Sequence, residues 1–108
     1  MIVTTTDTIE GRQVTDVMGL VRGNSVRARH VGRDLLAGLR NLVGGEVQEY
    51  TKLLAESREE AIQRMVERAE AMGANAVLGT RFITASIMGG AAEILAYGTA
   101  AKVEEDRL

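Results

Sequence analysis

The sequence predicts an α+β fold, an antiparallel sheet with a short and a long helix packed on it. Three observations carry this. Both ends of the chain hold short β-branched or alternating segments. The middle holds apolar residues at three- and four-residue steps. Glycines fall where these patterns change.

Ile2–Thr6 is β-branched and reads as a strand, followed by a turn over Asp7–Arg12 that contains Gly11. Val14–Val21 reads as a second strand. Its alternate positions are Val14, Asp16, Met18 and Leu20 against Thr15, Val17, Gly19 and Val21. Neither set is cleanly polar, so both faces are expected to meet protein. Arg22–Arg33 reads as a basic connector with a turn signal at Gly23-Asn24. Leu35, Leu36, Leu39, Leu42 and Val43 follow helical spacing, which predicts a short helix over Gly32–Val43 closed by Gly44-Gly45.

Glu46–Met72 is the clearest element. Val47, Tyr50, Leu54, Ala61, Met65, Ala69 and Met72 recur at helical steps among Glu, Arg, Lys and Gln. Such a helix is about 40 Å long. Glu60 and Arg64 are spaced for an i,i+4 ion pair. Ser57 and Glu60 match a capping box inside the helix, which would mark a kink or break. Gly73 closes it. Ala76–Ser86 and Ala92–Val103 then read as an antiparallel hairpin joined by a turn over Met88–Ala91. Glu104–Leu108 reads as a loose charged tail. Gly19, Gly79 and Gly98 interrupt strands, which points to bulges or close backbone approach. Residues 1–108 form one domain, without a repeat or linker.

Composition narrows the chemistry. The chain has 108 residues, no cysteine, one histidine and three other aromatics, Tyr50, Phe82 and Tyr97. A thiolate metal site and a thiol nucleophile are excluded. Aromatic platforms for stacking bases are lacking. Net charge is −2, so no overall field draws the chain to nucleic acid or to an acidic membrane. No signal peptide or membrane span is legible, and the expected location is the cytoplasm. The glycines form no nucleotide-binding signature, and no cofactor is indicated.

Charge is unevenly placed. Residues 1–45 hold six arginines against four acids, whereas residues 46–72 hold seven glutamates against four bases. Arg22, Arg27, Arg29, His30, Arg33 and Arg40 lie close together, opposed by Asp34. Arginine forks beside a helix N-terminus suit a phosphate or carboxylate. Arg22, Arg27, Arg29, His30 and Arg33 are therefore a candidate anion site. The competing reading pairs them with the glutamates of the long helix, in the same chain or the next, as a matched interface. Nucleic acid is the weakest reading. Soft metals want Cys, His or Met. His30 is the one imidazole, so a soft-metal site would need copies of His30 from several subunits. The carboxylates of Glu104, Glu105 and Asp106 read as a solvated end. Catalysis would rest on His30 with Asp34, or on Glu93 with Tyr97 on one face of the last strand. Neither pair has a matched nucleophile.

Several segments resemble a known family. They are Val21-Arg22-Gly23, Val26 through Asp34, Gly38-Leu39-Arg40-Asn41 and Gly44-Gly45-Glu46. Glu49-Tyr50-Thr51, Gly73-Ala74-Asn75-Ala76 and Ala96-Tyr97-Gly98-Thr99-Ala100 continue the series. Together they are similar to the YbjQ-like family of bacterial and archaeal proteins. The resemblance implies a dodecin-like subunit in a ring-shaped homopentamer, under a heavy-metal-binding label, with no activity to transfer.

The expectation is a non-catalytic homo-oligomeric ring that binds a small anion or metal ion between subunits. The alternative is a small hydrolase or transferase using His30 or Glu93. The sequence itself supports assembly through its small-residue core and the mixed faces of Val14–Val21.

Overall fold

A computed structural model describes residues 1–27, 45–87 and 91–106. The described elements are β1 (Ile2–Val3), β2 (Arg12–Arg27), α1 (Gly45–Ala71), β3 (Ala76–Ile87) and β4 (Ala91–Glu105). The expected short helix over Gly32–Val43 lies outside the described residues, as do residues 88–90 of the expected turn.

The fold is α+β, and the sheet runs β1-β3-β4-β2. β2 and β3 both pair antiparallel with β4. β1 pairs parallel with β3, Ile2 opposite Ala76 and Val3 opposite Val77. The sheet is therefore mixed, which corrects the expected antiparallel sheet. The backbone of Thr4 and Thr6 continues toward β3 through bonds to Val77, Gly79 and Thr80, but as irregular chain rather than strand.

α1 forms because its buried residues fall on one line. Ser57, Ala61, Met65 and Ala69 recur every four residues and are buried against the sheet. Ser57 sits inside an unbroken helix, so its capping-box spacing marks no break there. Gly73 ends the helix with a left-handed φ of 88°. The Ala74 amide bonds the Ala69 carbonyl at 3.0 Å and the Gly73 amide bonds that of Glu70 at 2.9 Å, a Schellman pair. Met72, the last residue before Gly73, is exposed rather than packed as its spacing suggested.

The sheet has two cores. Val21, Val77, Ile94, Ala96 and Ala100 meet α1 with Met65, while Met18, Leu54 and Ile62 pack at the margin. On the reverse face, Ala76, Leu78, Ala101 and Val103 are covered by Ile2 and Ile9 from the N-terminal segment.

β2 is longer than expected at both ends. Gly23 and Asn24 do not turn; they lie within the strand opposite Ala96 and Leu95. Gly23 is small because α1 crosses it at main-chain distance: a Cβ there would collide with the Met65 amide and the Ala61 carbonyl. The expected bulges are present. Register shifts fall between Val17 and Gly19 and between Leu78 and Arg81, where Gly19 and Gly79 take positive φ. Gly98 marks a close approach to Val77 and Leu78. Glu104 and Glu105 belong to β4, opposite Gln13 and Arg12, and so are not a loose tail.

Candidate functional site

Among the described residues the reverse face is covered at one end only. Beyond the second core they leave it open, and its composition follows from strand alternation. Val21, Gly23 and Ser25 turn to α1, so Leu20, Arg22, Asn24 and Val26 turn away from it. Their neighbours in register on β4 are Thr99, Tyr97, Leu95 and Glu93. Across β4, β3 adds Arg81 beside Tyr97, Ile83 beside Leu95 and Ala85 beside Glu93. Tyr97 therefore stands between two arginines in one cross-strand row.

This face leaves large apolar side chains uncovered. Leu20 is 69% exposed, and Val26 and Ile83 are each 50% exposed. Val17, at the bulge, is 62% exposed. The expectation that both faces of Val14–Val21 meet protein is thus met, among the described residues, by the buried Val21 and the partly buried Met18, while Val14, Val17 and Leu20 stay exposed.

A cavity of about 310 Å³ is lined by Arg22, Asn24, Arg68, Glu93 and Leu95. Asn24 Nδ2 donates to Glu93 Oε2 at 3.3 Å, which gives the half-buried carboxylate a partner. From α1, Arg68 Nη1 donates to the Arg22 carbonyl at 2.9 Å and Arg64 Nη1 to the Asn24 carbonyl at 2.6 Å. Arg64 also pairs with Glu60, the expected i,i+4 contact. The two arginines thereby tie the helix to β2, which lies at one edge of the sheet. Arg81 Nη1 donates to the Thr5 and Thr80 carbonyls and ties down the N-terminal segment.

Of the sequence candidates, Arg22 lies in this cavity. Arg27 closes β2 opposite Ala92, but its side chain is outside the described set. Arg29, His30, Arg33 and Arg40 lie outside the described residues. Glu93 and Tyr97 do share the open face, but among the described residues no hydroxyl, thiol or imidazole lines the cavity beside Glu93. Asn24 and Arg68 were missed by sequence reasoning. Asn24 was read as a turn residue. The signal for Arg68 was its place one step from the Met65–Ala69 stripe, where a long side chain reaches past the helix flank.

Among the described residues no three of His, Cys, Asp and Glu converge. Met65 is fully buried in the core and Met18 packs against it, so their thioethers serve as packing. Among the described residues no helix is long and apolar enough to cross a membrane.

A family model described as "Putative heavy-metal-binding" matches residues 1–104. A UPF0145 protein of Methanosarcina acetivorans is 57% identical over 103 residues, covering 95% of this chain and 97% of the relative. Its counterpart from Vibrio parahaemolyticus is 55% identical, covering 97% of this chain and 100% of the relative. A crystal structure of a protein of unknown function from Pediococcus pentosaceus superposes with a TM-score of 0.64 at 17% identity, covering 96% of this chain and 98% of that one. That likeness speaks to the fold.

Proposed function

This chain belongs to the YbjQ family, and on that premise we propose that it works as a non-catalytic closed ring of identical subunits, a homopentamer, with a small anion or metal ion bound between them. The observation that carries the reading is the open sheet face. Leu20, Val26 and Ile83 stay half or more exposed on one continuous surface. Burying a side chain of this kind gains about 1.5–3 kcal/mol, and a neighbouring subunit supplies that burial.

Shape supports the same reading. The chain measures 61 × 25 × 17 Å with a radius of gyration of 17.5 Å. A compact monomer of this length would have a radius near 13 Å. A thin, elongated subunit buries little by itself and gains much from a partner.

Charge suggests how copies meet. Arg22 and Arg81 stand on the open face, while the exposed side of α1 carries Glu56, Glu59, Glu67 and Glu70. Sheet face against helix face is a heterologous contact, and such contacts generate rings when the rotation closes. The count of five is what the family resemblance implies.

Light scattering after gel filtration tests this. The expected mass is near five times 11.6 kDa. A monomer mass overturns the reading.

A further inference from the structure

We infer that the cavity between Arg22, Arg68 and Glu93 binds a small zwitterion, its anionic end at the two guanidiniums and its ammonium end at the carboxylate. This rests on the subunit's own cavity and takes from the proposed ring function only that a small species is bound.

The ends of the cavity carry opposite charge that the described residues do not join. The Arg22 guanidinium makes no ion pair or hydrogen bond among the described residues. Arg68 spends one N–H on the Arg22 carbonyl and keeps the rest of its fork. Glu93 stands opposite Val26, four residues along β2 from Arg22. That is about 13 Å along the strand. Asn24 lies between and holds only Oε2 of Glu93. Leu95, half-buried in the row between, gives the floor an apolar surface suited to methylene groups.

Electrostatics selects among ligands. A metal cation would face two guanidiniums. A dicarboxylate would place its second charge against Glu93. A simple anion would satisfy the arginines and leave Glu93 half-served. A molecule with one charge of each sign satisfies both ends, and the wrong charge at either end is actively rejected. The volume of about 310 Å³ is at the small end of ligand sites.

Calorimetric titration of the full chain with ε-aminohexanoate, hexanoate and hexylamine tests this, since the three differ only in which charge they carry. The zwitterion is expected to bind about tenfold or more tighter than either singly charged probe, as two charge-assisted contacts exceed one. Arg22→Gln should remove that advantage from the carboxylate side and Glu93→Gln from the ammonium side. Equal affinity for zwitterion and hexanoate, unaltered affinity in both variants, or no saturable binding overturns the inference. Light scattering on the same samples separates the two readings. Binding by a monomer supports the cavity and refutes the ring, whereas an intact ring that binds none of the probes refutes the cavity alone.

Discussion

Gly23 of β2 lies directly beneath Met65 of α1. A Cβ on Gly23 would stand 2.8 Å from Met65 Cα and would collide with backbone atoms of Met65 and Ala61. The obstacle is main chain, which cannot swing aside as a side-chain tip can. The buried line Ser57, Ala61, Met65, Ala69 sets the helix at this height, and two alanines in it keep the approach close.

Gly23→Ala should therefore lift α1 from the sheet. Overpacking of a tight core costs about 1–3 kcal/mol, and the upper end is expected here. The gain from replacing a strand glycine, about 0.5–1 kcal/mol, offsets little of it. Urea unfolding at fixed protomer concentration measures the loss. A variant as stable as the wild type would show that the helix can shift freely.

Asn75 acts as an added strand residue after α1. Its amide Nδ2 donates to the Val103 carbonyl at 2.9 Å, and its Oδ1 accepts from the Val103 amide at 2.8 Å. Its own backbone amide bonds the Ala101 carbonyl. Asn75→Ala removes both side-chain bonds at once and leaves the backbone one. At about 0.5–1.5 kcal/mol per bond, a loss of about 1–3 kcal/mol is expected. Hydrogen exchange at the Val103 amide should quicken in the variant. Unchanged exchange there would mean that the bond adds no protection.

Leu20 offers a test of assembly separate from folding. It is 69% exposed in the subunit, so Leu20→Glu should change subunit stability by no more than about 0.5 kcal/mol. In the ring it would place a carboxylate in an apolar contact and against the neighbour's glutamate-bearing helix. Gel filtration with light scattering should then report a smaller species with an unchanged circular dichroism spectrum. A mass that stays at the wild-type value would remove Leu20 from the interface.

The fold was legible where one periodicity dominated. α1 spans Gly45–Ala71 against an expected Glu46–Met72, because the four-residue stripe and Gly73 leave little freedom at either end. β3 and β4 were legible for similar reasons. β2 was cut short at Val21 because Gly23-Asn24 looks like a turn. The pair serves two other ends: Gly23 admits the helix backbone, and Asn24 holds Glu93. Parallel pairing of Ile2–Val3 with β3 joins segments more than seventy residues apart, and no local pattern encodes it. The site was half legible for a related reason. Arg22 stood out by its charge, whereas Arg68 and Asn24 reach it only through tertiary packing.

With one histidine and no cysteine in the sequence, an imidazole-rich soft-metal site would draw on several subunits. No three of His, Cys, Asp and Glu converge among the described residues, and the core thioethers are engaged in packing. His30 is the one imidazole in the sequence, and soft divalent ions prefer imidazole to carboxylate. Copies of His30 brought together by the ring would supply the ligands that one chain lacks. A divalent zinc or cadmium salt should therefore raise the melting temperature of the wild type, and both His30→Ala and Leu20→Glu should abolish the rise. The second variant keeps the imidazole but loses the assembly, so it distinguishes a shared site from one within a single subunit. An equal rise in all three proteins would place the metal elsewhere, and no rise in the wild type would deny the site.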